Sequence, residues 1–251
     1  MALANEGAAV ALGARRRDRL EELAKRISGD GGRAEVFEVD ITEEEPSRSF
    51  VEAAAESLGG LDILVNNAGV MLLGPVQGAD PDEWRRMVEV NCLGLLYCTH
   101  AAIPLMRERG GGHIVNVSSV AGRQAALGAA VYNVTKFGVV GFSEGLRQEV
   151  LHSNIRVTVI EPGFVDTELR GHNEHPMVVE TIKKSREEIG DLLEAEDIAE
   201  AITYAVTQTR AGERERGPGQ ADETAALNSP QVSLRQQLRV SDERSARLAQ
   251  A

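Results

Sequence analysis

Five short runs rich in Val and Ile punctuate the chain, at Ala8–Gly13, Val36–Ile41, Asp62–Asn66, His113–Ser118 and Ile155–Ile160. Each is apolar almost throughout rather than alternating, the pattern of strands covered on both faces. Longer segments with helical period lie between them. Arg17–Ile27 puts Leu20, Leu23, Ala24 and Ile27 on one stripe. Thr42-Glu43-Glu44-Glu45 reads as a capping box ahead of apolar Phe50, Val51 and Ala54,. Asp80-Pro81-Asp82-Glu83 reads as a second helix start, with an acid at the N-cap and proline at N1,. Two further helices, Trp84–Arg107 and Tyr132–Leu151, combine apolar stripes with small residues such as Ala101-Ala102 and Gly138 with Gly141. Strands alternating with helices predict an α/β fold, a doubly wound parallel sheet with its ligand cleft at the carboxyl ends of the strands.

The ends depart from this pattern. Met1–Gly7 reads as the last turns of a helix feeding directly into a strand. Residues 208–251 carry no aromatic residue and no lysine, and seven arginines against six acids. A segment such as Thr209–Gly219 buries too little apolar surface to offset its ordering entropy. The expected organisation is a folded unit over 1–207 and a disordered tail over 208–251.

Bulk properties narrow the class. The length of 251 residues fits one domain with a sizeable core,. A net charge of −12 argues against nucleic acid or an anionic membrane surface as partner,. No apolar run approaches the roughly 18 residues of a membrane span and no leader is evident, so a cytoplasmic protein is expected. The only cysteines, Cys92 and Cys98, sit in one apolar helical stretch and read as small hydrophobes,. His172 and His175 lack the partners of a metal site, and no metal is expected,.

The candidate chemistry begins at Tyr132-Asn133-Val134-Thr135-Lys136, preceded by Ser118-Ser119. Positions i and i+4 put the phenol and the ammonium on one helix face. An unperturbed tyrosine, with a pKa of about 10, is a poor acid or base near neutrality, and a nearby ammonium favours the phenolate. A serine hydroxyl from another element then completes the equipment for moving a proton at an alcohol or carbonyl oxygen. Asp62–Gly69 runs a strand into two amides and two small residues, a turn that lets a flat cofactor approach the backbone,.

Together these motifs resemble the short-chain dehydrogenase/reductase family over roughly residues 1–207. Met71–Pro75 and Thr167–His172 are similar to its branch of clavulanate-type and other NADP-dependent carbonyl reductases. The resemblance implies a Rossmann-like fold with strand order 3-2-(1)-4-5-6, the bracketed strand missing. It implies Tyr132 as general acid/base, Lys136 lowering its pKa and holding the nicotinamide ribose, Ser119 orienting the substrate oxygen, and Asn91 holding a water in a proton relay. Cofactor contacts carried over are Asp40 and Ile41 at the adenine, Asn67, Ala68 and Gly69 at the adenosine and ribose, and Pro162, Gly163 and Thr167 at the nicotinamide. Arg15 and Arg16 stand where an NAD enzyme presents an acid to the ribose 2′-hydroxyl, which implies NADP(H) rather than NAD(H). A homodimer and a small organic carbonyl or alcohol substrate are likewise implied. The pocket wall expected at Met71–Pro75, Gln124–Leu127 and Phe164–Val179 is mainly apolar.

The departure from the family is the glycine-rich phosphate loop. The first strand, that loop and most of the first helix have no counterpart here, and no Val/Ile-rich run after Val206 supplies the family's last strand. Two functions therefore stand: an NADP(H)-dependent oxidoreductase interconverting carbonyl and secondary alcohol, or a non-catalytic remnant unable to hold a dinucleotide.

Overall fold

The computed structural model describes residues 1–173 and 175–208. The tail expected over 208–251 lies outside the described residues, Gln208 apart. A short helix, α1 (Ala2–Asn5), leads into strand β1 (Val10–Ala14), helix α2 (Arg17–Gly29) and strand β2 (Ala34–Glu38). Helix α3 (Glu44–Leu58) and strand β3 (Ile63–Asn66) follow. Then come α4 (Pro81–Val88), a π turn (Glu89–Leu93) and α5 (Gly94–Glu108), continuous as one helix. Strand β4 (Gly112–Val117), helix α6 (Ala130–Glu149), strand β5 (Ile155–Ile160) and helices α7 (Pro176–Ile189) and α8 (Ala195–Thr207) complete the order.

All strand pairings are parallel, as the apolar runs predict, but the strands form two sheets. β1 pairs only with β2, and β4 stands between β3 and β5. No ladder joins β1 to β3 among the described residues, at the place where the bracketed strand was expected. Burial follows this division. Every central residue of β4 is buried, whereas no residue of β1 or β2 is. Expecting every strand to be covered on both faces is therefore wrong for these two.

Helices bridge the division. α3 packs on β1 and β2 and also on α5, which lies on β3 and β4. Val51 of α3 joins Cys98, Ala102 and Met106 of α5 and Leu64 and Ile114 in one apolar cluster. α1 packs against α8, which contacts β5. Apolar burial in the helical layer is thus what holds the two sheets together.

Local signals are partly realised. Asp80 caps α4, accepting from the Asp82 amide at 2.9 Å, with Pro81 at N1. The capping box at Thr42 does not form. Glu43 is the N-cap of α3 without a side-chain bond, and Thr42 instead gives its amide and hydroxyl to Asp40 Oδ1, at 3.0 and 2.9 Å. Asp40 and Ile41 accordingly belong to a turn after β2 rather than to the strand. One expectation needs correcting outright. The kinked helix Pro81–Glu108 is long and apolar enough, by length and composition, to cross a membrane. Met87, Cys98, Ala102 and Met106 on it are buried in the core, the environment that accounts for its apolar composition.

Candidate active site

Within each sheet, parallel pairing aligns the carboxyl ends of the strands on one rim, and the expected site residues follow those ends. Arg15 and Arg16 follow β1, Asp40 and Ile41 follow β2, Asn67–Gly69 follow β3, Ser118-Ser119 follow β4, and Pro162-Gly163 follow β5. Backbone bonds fix the last two segments to each other: Ser118 N donates to Ile160 O at 2.8 Å and Val120 N to Pro162 O at 3.0 Å.

Helix α6 carries Tyr132 and Lys136 against this rim, each only 6% exposed. Close approach of α6 depends on Gly122, where a Cβ would come within 2.7 Å of Ser118 Oγ and 2.8 Å of Lys136 O. Ser118 Oγ donates to that same lysine carbonyl at 3.0 Å, a structural role. Ser119 is the serine whose hydroxyl acts on the phenol, favouring its ionised form, and its Oγ also lies 3.4 Å from Pro162 O. Lys136 Nζ donates to Val117 O at 3.0 Å and sits 5.8 Å from the centre of the Tyr132 ring. Serine, tyrosine and lysine are therefore assembled in one place, from β4 and α6.

The electrostatics differ from the expectation that the lysine lowers the tyrosine. Burial pushes the Tyr132 phenol above its ordinary value, and the opposing influences are the Ser119 hydrogen bond and the charge of Arg170. Burial likewise pulls the Lys136 ammonium down to about 8. Both groups are desolvated, so each favours its neutral form.

Asn91 stands in the π turn, 2% exposed. Its amide is fully committed to protein. Oδ1 accepts from Val70 N at 2.7 Å, while Nδ2 donates to Val70 O at 2.9 Å and Thr135 Oγ1 at 3.1 Å. Thr135 Oγ1 donates in turn to Tyr132 O at 2.8 Å. The side chain braces the Gly69–Val70 segment against α6. A Cβ on Gly69 would lie 3.4 Å from Asn91 Oδ1 and 3.8 Å from Lys136 Nζ, so this glycine and the lysine share a wall.

The adenine end is less free than the sequence implies. Ile41 is packed against α5, where a Cβ on Gly94 would strike its side chain and carbonyl, so its apolar body serves the core. Asp40 is held below the usual carboxylate range, first by the Thr42 amide, with Arg15 and Arg86 adding to the effect. Arg16 is not free: Glu168 takes both Arg16, at 2.9 Å, and Arg19, at 2.7 Å. Thr167 precedes Glu168 on the exposed side of the same segment.

For a nicotinamide dinucleotide the fit is uneven. At the nicotinamide and ribose end Tyr132, Lys136, Gly69 and Pro162 converge, and a Cβ on Gly163 would meet nothing within 4 Å. For a pyrophosphate the described residues offer no glycine-rich turn opening a helix. α2, the helix after β1, starts from Arg16 without a side-chain cap.

Sequence reasoning missed the π turn, Arg170 and Asn173. Arg170 lies in the short helical turn Glu168–His172, its guanidinium 3.9 Å from the centre of the Phe164 ring. Asn173 is buried and joins two walls, accepting from Leu73 N at 2.7 Å and donating to Arg170 O at 3.1 Å. Beside it opens a cleft of about 340 Å³ lined by Leu72–Pro75, Gln77–Asp80, Glu83, His172, Asn173 and His175. This cleft is outside the catalytic cluster, touching neither Tyr132 nor Ser119. No group of metal-binding side chains occurs among the described residues.

Comparisons with known proteins agree with the fold. The sequence model of the short chain dehydrogenase family matches residues 1–177. An uncharacterized oxidoreductase of Staphylococcus saprophyticus is 38% identical over 212 residues, covering 82% of each chain. Glycine betaine reductase of Emericella nidulans is 42% identical over 208 residues, which are 82% of this chain and only 16% of that protein. Among solved structures, the closed form of serine dehydrogenase complexed with NADP+ superposes with a TM-score of 0.73 at 32% identity, covering 82% of both chains. A 7α-hydroxysteroid dehydrogenase complexed with NADH and 7-oxo glycochenodeoxycholic acid gives 0.73 at 27% identity, covering 81% of this chain and 79% of that one.

Proposed function

The chain belongs to the short chain dehydrogenase family of oxidoreductase enzymes, and on that premise we propose that it interconverts a small carbonyl compound and the matching secondary alcohol, using NADP(H). The observation that carries this reading is the assembly of Ser119, Tyr132 and Lys136, with Lys136 Nζ 5.8 Å from the centre of the Tyr132 ring and both ionisable groups buried.

The nicotinamide, when bound, supplies or accepts the hydride at carbon. Everything else falls to the chain. Tyr132 donates its phenolic proton to the carbonyl oxygen during reduction and takes it back during oxidation. Ser119 holds that oxygen through a second hydrogen bond. Lys136, already partly neutral near pH 8, relays a proton to the phenol side and orients the ribose. Asn91 keeps Gly69 and α6 in register for both.

Preference for NADP(H) rests on Arg15, an exposed guanidinium after β1, with Arg16 contributing once Glu168 releases it. An NADP+ complex and an NADH complex both occur among the similar structures.

One observation favours a second reading. The unbridged division between β1 and β3 fits a protein that keeps the fold without holding a dinucleotide. One assay separates the two: the full chain at high concentration with millimolar NADPH and a panel of aliphatic and aromatic ketones. Ketone-dependent oxidation of NADPH that is abolished by Tyr132→Phe supports the oxidoreductase. Its absence, with no NADPH binding by calorimetry, selects the non-catalytic form.

A further inference from the structure

We infer that Arg170 is a recognition site for a carboxylate on the substrate, so that the enzyme acts on oxo or hydroxy acids rather than on neutral carbonyl compounds. This rests on the oxidoreductase reading of the Ser119, Tyr132 and Lys136 site.

The geometry of the guanidinium makes the case. Its flat face lies on the Phe164 ring, 3.9 Å from the centroid, and its Nε donates to Val165 O at 3.3 Å. One face and one edge are thus fixed, which pre-orients the two terminal nitrogens. No hydrogen bond or ion pair engages those nitrogens among the described residues. The neighbouring acids are taken by other arginines: Asp166 holds Arg186 at 2.6 Å, and Glu168 holds Arg16 and Arg19. Arg170 is half-buried, and desolvation weakens its hold on its proton. Asp166 offsets this only through its charge, without touching the guanidinium. A half-buried cation with two unengaged terminal nitrogens is costly, and a planar carboxylate meeting two parallel N–H donors compensates that cost.

Position supplies the second argument. Phe164 and Val165 continue from Pro162, which accepts from Ser119, the serine whose hydroxyl acts on the Tyr132 phenol. The charge of Arg170 acts at the Tyr132 phenol, so the two groups lie near one another. Asn173 ties the Arg170 carbonyl to Leu73 on the opposite wall. A ligand with its carbonyl on Ser119 and Tyr132 and an anionic group a few bonds away meets the free edge of the guanidinium. Lysine would replace it only in part, keeping the charge but losing the fork, the stacked face and the Nε bond.

The test uses the full chain and two stable probes, levulinate and its methyl ester, titrated by saturation-transfer NMR. Levulinate should bind at least about tenfold more tightly than the ester, the effect of one charge-assisted contact pair. Arg170→Gln should erase the preference, Arg170→Lys should keep part of it, and Arg48→Gln on the α3 surface should leave it intact. Equal binding of acid and ester, no binding of either, or a preference that survives Arg170→Gln overturns the proposal. Inorganic pyrophosphate forms a further arm: if it binds in an Arg170-dependent way and displaces levulinate, the guanidinium belongs to a dinucleotide and the proposal fails. The preference needs neither NADPH nor Tyr132, so it survives in Tyr132→Phe even where turnover is absent. Conversely, ketone reduction with no acid preference leaves the oxidoreductase standing and removes the carboxylate site.

Discussion

Lys136 reaches back from α6 to donate its ammonium to the carbonyl of Val117, the last residue of β4, at 3.0 Å. The bond ties the helix to the strand end, yet burial pulls the ammonium from 10.5 to about 8. The unfolded chain therefore binds more protons than the native one between those two pH values. Stability contributed by this group rises as pH climbs from about 8 to 10.5, with a slope of at most about 1.4 kcal/mol per pH unit, and is flat below,. Thermal melts of the wild type and of Lys136→Met across that range should differ by this rise. Parallel profiles would show that the lysine is not desolvated.

The phenol of Tyr132 is pushed up by burial and held back first by Ser119. Ser119→Ala removes that restraint, so the pH at which reductase activity falls should move upward. Tyr132→Phe keeps the ring and removes the proton. Turnover should drop by about 10²–10⁴-fold with little change in melting temperature.

Glu168 is a carboxylate held by Arg16 and Arg19, all three largely exposed. Exposed pairs of this kind contribute only about 0.2–1 kcal/mol, so Glu168→Gln should barely alter the melting temperature. It should, however, free two guanidinium groups and raise the affinity for NADPH more than for NADH. Arg15→Asp should shift the ratio the other way. Calorimetry with both dinucleotides reads the two effects, and unchanged ratios would remove these arginines from cofactor selection.

Much of this site was legible because its signals are local. Apolar runs gave the strands, Asp80-Pro81 gave a helix start, and the spacing of Tyr132 and Lys136 placed both on one face. What escaped depends on the third dimension. Thr42 had two ways to bond nearby groups and took the Asp40 turn over the helix cap. The π turn at Glu89–Leu93 is set by how Asn91 meets Val70 and Thr135, residues far away in sequence. Tyr132 next to Lys136 suggested a lowered phenol, but desolvation, which no motif displays, outweighs that proximity. Arg170 was one arginine among many until Asp166 and Glu168 proved to be committed elsewhere.

Gly122 controls how closely the serine loop and α6 approach. A methyl there would sit 2.7 Å from Ser118 Oγ and 2.8 Å from the Lys136 carbonyl, so loop or helix must move. Gly122→Ala should cost about 1–3 kcal/mol, the range for overpacking. Because Ser119 immediately precedes this turn, activity should fall by more than the loss of folded protein explains. Chemical denaturation together with turnover per folded molecule separates the two effects.

Helix α6 leaves one side uncovered: Val134 is 66% and Phe137 46% exposed, followed by Gly138, Gly141 and Gly145 on the same stripe. A Cβ on Gly141 or Gly145 would meet nothing within 4 Å. An apolar pair beside glycines that allow close helix approach fits a two-fold contact between copies of this chain. The opposing factor is the division of the sheet, which leaves the β1 and β3 edges at the division without a strand partner among the described residues, backbone groups that other chains can pair with. A weak dimer that aggregates on concentration is the expected state. Light scattering after size exclusion should show mass rising with concentration, and Val134→Glu should return the chain to monomer at unchanged melting temperature. A wild type that stays monomeric and melts cooperatively at high concentration would dismiss both the contact on α6 and the reactive edges.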